Sequence, residues 1–259
     1  MSEFAVYPIA ALTHRRIIVG DVHGHYDGLI ALLDAIAPGQ DDKVYFLGDL
    51  IDRGPKSAQV VDFVRDGGYA CVLGNHEQMA IEAFQDDEIS PPALQAWLHS
   101  GGRATLASYE DPVLIMDHLE WFKQLPTYLD LGDLWLVHAG VHPLLPVSEQ
   151  NSEQFCWVRE AFHSHPRAIF SDKLIITGHT ITFTFPGVVP GGIVQGPGWM
   201  GIDTGAYHPR SGWLTAYDAL NRQVYQAHVF DGTVRVLPLE EVAIPLDQKT
   251  LARRQAMLI

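Results

Sequence analysis

Aspartate, asparagine and histidine residues follow five apolar stretches of this chain, each beside a glycine. The five stretches are RIIVGDVHG, KVYFLGDLIDRG, YACVLGNHE, LWLVHAG and LIITGHT. The polar residues at their ends, together with one arginine, are Asp21, His23, Asp49, Asp52, Arg53, Asn75, His76, His138 and His179. A single carboxylate in such a place is explained equally well by a turn or a helix N-cap. Five such sets are harder to explain as turns, because buried carboxylates need a compensating charge.

Bound metal ions would supply that charge. Imidazole and oxygen ligands without a thiolate suit divalent ions such as manganese, iron or zinc. The candidate ligands exceed what one open site needs, so we infer two ions. Two ions about 3.5–4 Å apart can clamp both oxygens of an in-line displacement and lower the pKa of a water between them. The chemistry indicated is hydrolysis of a phosphoester.

The same five stretches have the composition of buried β-strands, with three to five β-branched or aromatic residues before each turn. Between the first three, YDGLIALLDAIA and SAQVVDFVRDGG place apolar residues at helical spacing. This order predicts βαβ units, with parallel strands and helices on the sheet faces. Ligands of such sheets bind beyond the carboxyl ends of the strands, so we expect the polar residues to converge on one rim.

The rest of the chain reads differently. Residues 84–130 predict helices that cap or flank the rim, GWLTAYDAL and RQVYQAHVF predict antiparallel strands, and the last dozen residues, including KTLARRQAMLI, predict a terminal helix. With 47% hydrophobic content and no linker, residues 1–259 are expected to form one domain. Its helical cap or insertion would be 84–130 and its C-terminal extension 221–259.

Charge and composition narrow the partners. The net charge of −14 and the lack of a basic run argue against nucleic acid, and any phosphate must meet a local cationic site. Cys71 and Cys156 lack a metal-ligand spacing and are expected to be buried thiols. No apolar run approaches the roughly 18 residues of a membrane span, and no targeting segment is recognised. We expect a soluble, cytoplasmic protein that does not bind membranes.

Three ordered motifs, GDVHG (20–24), GDLIDRG (48–54) and GNHE (74–77), resemble the signature blocks of the phosphoprotein phosphatase family of calcineurin-like metallophosphoesterases. VHAG, TGHT and IDTGA followed by GWLTAYD resemble later pieces of its bacterial and phage members, which are serine/threonine protein phosphatases. The resemblance spans about residues 16–220. It implies an α/β fold of mixed β-sheets arranged as a β-sandwich and flanked by helices, with a two-metal site at the strand carboxyl ends.

The resemblance also implies a ligand set for two divalent ions, which would be manganese, with iron or zinc as alternatives. The ligands along the chain would be Asp21, His23, Asp49, Asn75, His138 and His179. The first two would bind one ion, Asp49 would bridge the pair, and the last three would complete the second site. A hydroxide between the ions would attack phosphorus directly and in line, without a phosphoenzyme.

Four further residues take catalytic roles under the same resemblance. His76 would be the general acid that protonates the leaving oxygen, and Asp52 would orient its imidazole. Arg53 would grip the phosphate bidentately. Arg159, in the helical segment FCWVREAF, fits the position and type of a second phosphate-binding arginine. Tyr207 and Trp199 are interpreted as packing residues.

The expected substrate is a phosphorylated protein or a small phosphoester. Asp52-Arg53 and Glu77 favour a serine/threonine protein phosphatase over the first alternative, a symmetrical dinucleoside tetraphosphate hydrolase or another small-nucleotide phosphatase. A second alternative is a non-catalytic protein-binding scaffold, which would be expected to have lost ligands or the acid histidine. The sequence does not indicate an oligomeric state.

Overall fold

The computed structural model describes residues 14–85 and 88–247. Within these ranges the strands are β1 (Arg16–Val19), β2 (Lys43–Phe46), β3 (Ala70–Cys71), β4 (Phe84–Gln85), β5 (Glu88–Ile89), β6 (Tyr128–Asp130), β7 (Leu134–Val137), β8 (Leu174–Thr177), β9 (Ile193–Gly196), β10 (Trp199–Gly201), β11 (Trp213–Asp218), β12 (Gln223–His228), β13 (Val234–Pro238) and β14 (Ala243–Pro245). The α-helices are α1 (Tyr26–Ile36), α2 (Ser57–Asp66), α3 (Asn75–Ala83), α4 (Pro91–Trp97), α5 (Arg103–Ala107), α6 (Pro112–Phe122), α7 (Ser152–Trp157), α8 (Glu160–His163) and α9 (Leu239–Val242).

The first sheet has the strand order β13-β12-β11-β1-β2-β3. Strands β1, β2 and β3 are parallel, with α1 and α2 as the crossovers, so the predicted βαβ units are present. Strands β11 and β12 form the predicted antiparallel pair, with Trp213 opposite His228. On the outer face, the apolar sides of α1 and α2, including Leu29, Leu32 and Val60, pack into the core.

The second sheet has the order β14-β9-β10-β8-β7-β6, in which β7, β8 and β10 are parallel. A core between the two sheets joins Ile18 and Leu47 of the first sheet to Leu136, Ile176 and Met200 of the second. The predicted sandwich of two mixed sheets with flanking helices is therefore confirmed. Of the five strands predicted to end at one rim, three lie in the first sheet and two in the second.

Several elements differ from the sequence prediction in detail. Residues 84–130 contain α4, α5 and α6, with a kink at Gly101 (φ 127°) between α4 and α5, but also the antiparallel pair β4-β5 and edge strand β6. The C-terminal part adds β13 and β14, which were not predicted, as edges of the two sheets. The predicted terminal helix lies outside the described residues. Among residues that the structure describes, no helix is long and apolar enough to cross a bilayer.

His163 lies in the core on the outer face of the second sheet, where its ring contacts Phe162, Phe185 and Trp199. Burial, with a smaller effect of Arg159, lowers its pKa from 6.5 to about 3. Between these pH values the unfolded chain takes up a proton that the folded chain does not. The stabilisation from neutral His163 is therefore complete above pH 6.5 and is lost as the pH falls, at about 1.4 kcal/mol per pH unit.

We expect His163→Leu to flatten the pH dependence of the unfolding free energy between about pH 6.5 and pH 4.5 by that slope. Urea denaturation of the metal-free protein at a series of pH values measures it. His99, an exposed histidine, provides the matched control as His99→Leu, which should keep the wild-type slope. Equal slopes for wild type and His163→Leu would contradict the assignment.

Candidate functional site

Several residues in the loops that follow the strands have unusual backbone dihedral angles. In the described residues, seven non-glycine residues have positive φ, and five of them are predicted site residues: His23 (47°), Asp49 (49°), Asp52 (73°), Arg53 (72°) and His179 (64°). A side chain in the left-handed region costs free energy, of order 1–3 kcal/mol for each such residue. The surrounding contacts must therefore impose these conformations.

The loops after β1 and β2 are joined through their backbones, since Val22 and His23 both donate to the Asp49 carbonyl, at 3.1 and 2.9 Å. The loops after β7 and β8 are joined in the same way, because Gly178 donates to the His138 carbonyl at 2.8 Å. The His179 N–H then donates to the carboxylate of Asp21 across the two sheets, at 3.0 Å. These contacts bring four strand ends to one rim, and the His76 N–H, after β3, adds the fifth by donating to the Asp49 carboxylate at 3.0 Å, as the sequence predicts.

His23, Asp49 and His76 form one group of ligand atoms that lie within 4.8 Å of one another. Because the His23 Nδ1 lies 2.9 Å from the Ile51 carbonyl, Nδ1 carries the hydrogen and Nε2 carries the lone pair. That Nε2 lies 3.6 Å from Asp49 Oδ2 and accepts a 2.6 Å hydrogen bond from Arg53. The backbone thus presents a neutral nitrogen donor toward the Asp49 carboxylate.

A second group is built around Asn75, at the first turn of α3. Its Oδ1 lies 2.9 Å from His138 Nε2 and 2.7 Å from His179 Nδ1, and Asp49 Oδ1 lies 3.3 Å from His138 Nε2. Two ligands at right angles, each about 2.1 Å from one ion, are about 3 Å apart. His138 Nδ1 lies 2.7 Å from the Leu47 carbonyl, which leaves Nε2 as the lone-pair nitrogen. These atoms have the spacing of a metal's ligands.

The charges of the site also fit bound cations. Burial, with the neighbouring Asp203 and Asp49, raises the pKa of Asp21 well above its usual value. Burial raises the pKa of Asp203 to about 6. Burial lowers the pKa of His23, His138 and His179, so these imidazoles are neutral donors near neutral pH. Crowded buried carboxylates beside neutral imidazoles are a donor set for divalent ions.

His76 and Asp52 form a hydrogen-bonded pair, with 2.5 Å between His76 Nδ1 and Asp52 Oδ2. Asp52 is fully buried, and its carboxylate also accepts from Trp97 Nε1 at 2.9 Å and from Thr105 Oγ1 at 2.6 Å. Trp97 ends α4 and Thr105 lies in α5, so the segment 84–130 reaches the site through these two side chains. Asp52 is thereby fixed, and it fixes the orientation of the His76 ring.

Glu77 holds the loop that carries Asp49 and Asp52. Its buried carboxylate accepts from the backbone N–H groups of Asp49, Leu50 and Gly74, at 2.8, 2.8 and 3.1 Å. A Cβ at Gly74 would lie 2.3 Å from the Asp49 nitrogen, so this close approach of the two loops requires glycine. The GNHE motif therefore clamps the GDLIDRG loop as well as supplying Asn75 and His76.

Two arginines, Arg53 and Arg159, lie at the solvent-exposed edge of the buried site residues. The Arg53 guanidinium lies 3.9 Å from the centre of the Tyr207 ring, which makes Tyr207 a platform for a site residue as well as a packing residue. Arg159 lies in the break between α7 and α8 and donates to Thr180 Oγ1 at 2.9 Å. Both arginines are exposed to solvent.

The ten predicted site residues therefore lie together, and the structure adds others. Sequence reasoning gave no role within the site to five residues that touch or surround the predicted ones, namely Glu77, Trp97, Thr105, Asp203 and Tyr207. Glu77 and Asp203 stand inside the motifs GNHE and IDTGA, so a signal for them existed. Trp97 and Thr105 lie in a segment with no motif. Trp199 packs against Phe162 and Phe185, as interpreted from the sequence.

The Thr105 hydroxyl both donates to the Asp52 carboxylate and accepts from the Asp52 N–H, at 2.6 and 2.8 Å. Thr105→Val keeps the shape of the side chain and removes both bonds. We expect kcat for a phosphoester to fall about tenfold, which corresponds to roughly 1.4 kcal/mol for a buried hydrogen bond, while metal content is unchanged. Thr105→Ser should restore kcat. A loss of metal in the valine variant, or no rescue by serine, would argue against this role.

Comparison with known proteins identifies the family of this chain. Residues 14–196 match the model of the calcineurin-like phosphoesterases. The chain belongs to the calcineurin-like phosphoesterase family. This confirms the family that the sequence motifs indicated, and it supports the predicted class of enzyme, a metal-dependent phosphatase.

Two curated relatives have different names. Serine/threonine-protein phosphatase 2 of Escherichia coli is 35% identical over 146 residues, which are 54% of this chain and 64% of the relative. Symmetrical bis(5'-nucleosyl)-tetraphosphatase of Vibrio campbellii is 28% identical over 171 residues, 61% of this chain and 60% of the relative. The matches thus span less than two thirds of the length of these relatives. The two names leave the substrate unresolved.

A solved structure supports the fold. A crystal structure whose title provisionally names it a diadenosine tetraphosphatase has a TM-score of 0.57 at 22% identity, and covers 89% of this chain and 96% of that chain. At this identity the likeness concerns the fold alone.

Proposed function

We propose that this protein is a phosphoric monoester hydrolase that acts on phosphoserine and phosphothreonine in proteins. The observation that carries the proposal is the His76–Asp52 pair beside two groups of atoms that could hold metal ions, the first of which includes His76, with Arg53 and Arg159 exposed at the edge. Because the two arginines are exposed beside the buried ligand atoms, a phosphate carried on another protein can reach the site. The residue roles follow from the same arrangement.

Two divalent ions held by Asp21, His23, Asp49, Asn75, His138 and His179 would activate a water and neutralise the charge on the phosphoryl oxygens. We propose manganese for both. The lone pairs of His23 Nε2 and His138 Nε2 are each set by a backbone carbonyl, so neither ring needs to flip to bind an ion, although Arg53 would have to release His23 Nε2 first.

The side chains supply the remaining chemistry. Arg53 and Arg159 would donate to the phosphoryl oxygens, and Tyr207 keeps the Arg53 guanidinium flat at the edge of the site. His76, with Nδ1 bonded to Asp52, has its Nε2 free to hand a proton to the leaving oxygen of serine or threonine. Asp52 would stabilise the imidazolium before that transfer. Direct displacement predicts inversion at a chiral phosphate, and retention would contradict it.

A symmetrical dinucleoside tetraphosphate hydrolase is the second candidate, because a curated relative with that name is 28% identical over 171 residues. The reaction would use the same metal ligands and the same general acid, with a nucleotide as the leaving group. The non-catalytic scaffold is disfavoured, since the sequence lacks none of the proposed ligands or the proposed acid His76, and four of the ligands lie in groups that could hold an ion.

Parallel turnover of three substrates tests the proposal: p-nitrophenyl phosphate, a phosphoserine protein and diadenosine tetraphosphate, each with Mn²⁺ and with chelator. We expect metal-dependent hydrolysis of the first two, with a higher kcat/KM for the phosphoprotein than for diadenosine tetraphosphate. The reverse order would assign the nucleotide function. No metal-dependent hydrolysis of any substrate would reject an enzyme of this class.

A further inference from the structure

A surface beside the phosphate-binding edge is built from two loops, 181–185 and 205–212. The second loop is closed by backbone hydrogen bonds, including Gly212 to the Gly205 carbonyl at 3.2 Å and Ser211 to the His208 carbonyl at 2.8 Å. Gly205 has φ of 80°, and a Cβ there would lie 3.1 Å from Phe183. The glycine allows the two loops to touch, so the surface between them is ordered.

Aromatic rings on these loops lead from Arg53 to another arginine. The Arg53 guanidinium lies over Tyr207, whose ring centre is 6.1 Å from that of His208. The His208 ring is 5.0 Å from Phe183, and the Arg210 guanidinium lies 4.8 Å from the Phe183 ring centre. Arg210 is exposed, while Phe183 and His208 are half-buried. Arg210 is thus held against the surface by a cation–π contact.

Arg210 also differs in its charge environment from seven other basic residues of this acidic chain. These seven pair with carboxylates at N···O distances of 2.6 to 3.1 Å, namely Arg15, Arg16, Lys56, Arg65, Lys123, Lys173 and Arg222. No ion pair of Arg210 occurs within residues 14–85 and 88–247. Its N–H donors therefore remain available to an anion from outside the chain.

We propose that Arg210, on its Phe183 platform, binds an acidic side chain of the phosphoprotein substrate, and so selects phosphoserine or phosphothreonine sites with a nearby aspartate or glutamate. The inference rests on the proposed function. A guanidinium recognises a carboxylate with two parallel hydrogen bonds, and a chain of net charge −14 would otherwise repel an acidic substrate.

The distances set the reach of this recognition. The contacts run from Arg53 through Tyr207, His208 and Phe183 to Arg210. The four distances along them put the two guanidinium groups no more than about 20 Å apart. An extended peptide advances about 3.3 Å per residue, so the acidic residue lies at most about six residues from the phosphorylated one.

A set of phosphoserine peptides tests this, each with one glutamate at a different position within six residues of the phosphoserine in a neutral background. For the wild-type, manganese-loaded enzyme we expect kcat/KM to be roughly fivefold higher for the best glutamate peptide than for the matched alanine peptide. In Arg210→Ala that ratio should fall to about one. Phe183→Leu, which removes the platform and keeps the arginine, should also lower it.

Two controls separate binding from structure. Arg222→Ala removes the same charge at the opposite end of the first sheet and should keep the wild-type ratio. Raising the ionic strength from about 0.1 M to about 1 M shortens the Debye length from about 10 Å to about 3 Å and should lower the wild-type ratio toward one. A purely structural role of Arg210 would give no such salt dependence.

Other outcomes would overturn the inference. If the ratio is the same in wild type and Arg210→Ala, the inference fails while the proposed function stands. If p-nitrophenyl phosphate is hydrolysed but no phosphopeptide is, both fail. If Arg210→Ala loses turnover of diadenosine tetraphosphate and not of glutamate peptides, the subsite belongs to a nucleotide.

Discussion

Asp49→Asn is expected to lose both metal and activity. Asp49 Oδ1 lies 3.3 Å from His138 Nε2 and Asp49 Oδ2 lies 3.6 Å from His23 Nε2, so it stands between the two ligand groups. Residues that only orient a metal ligand contribute about 10–100-fold to metal affinity, so a shared ligand should contribute more than about 100-fold. Elemental analysis after dialysis should find fewer than two ions per chain, and turnover should fall with the metal content.

Asp52→Asn is the matched control. Asp49 and Asp52 both have positive φ, which asparagine tolerates better than most residues, so both variants should fold. Asp52 contacts His76, Trp97 and Thr105, none of which is proposed as a ligand. The Asp52→Asn variant should therefore keep its metal and lose turnover. Equal loss of metal in the two variants would contradict the division between a ligand and an orienting residue.

His76→Asn should lower the turnover of a phosphoserine peptide by about 10²- to 10⁴-fold, the range that general acids contribute. The serine alkoxide is a poor leaving group and needs a proton, whereas p-nitrophenolate leaves without one. Turnover of p-nitrophenyl phosphate should therefore fall much less. Steady-state kinetics with the two substrates measure the difference.

The metal content of His76→Asn distinguishes two roles for His76, a general acid and a metal ligand. Its Nε2 lies 3.8 Å from Asp49 Oδ2, so the ring is close enough to bind an ion together with Asp49 and His23. A general acid can be removed without loss of metal, and a ligand cannot. We expect His76→Asn to retain its metal. Lost metal, with equal losses for the two substrates, would identify His76 as a ligand.

The sequence predicted most of the site because the motif residues stand at strand ends, where the chain geometry is constrained. Asp21, Asp49 and Asn75 follow strands β1, β2 and β3, and the βαβ order alone makes these strands parallel. His138 and His179 follow strands of the other sheet. The apolar runs could not reveal this, because hydrophobic periodicity identifies a strand but not its neighbours.

The contacts around Asp52 could not be predicted for a similar reason. Trp97 and Thr105 lie 45 and 53 residues away along the chain, within a segment that has no motif. Their roles depend on how helices α4 and α5 pack over the loop, which involves the whole helical segment. Arg210 is a comparable case, since its place over Phe183 depends on the approach of two distant loops.

The left-handed residues of the site have an evolutionary consequence. At His23, Asp49, Asp52, Arg53 and His179, the side chain proposed for phosphoester chemistry stands on a left-handed backbone that glycine would adopt at lower cost. Glycine at the same positions would relieve the strain. In a lineage released from selection for catalysis, these five positions should drift toward glycine and asparagine, gaining stability with each step. Return to an active enzyme would then require several destabilising substitutions at once, so loss of function at this site would be hard to reverse.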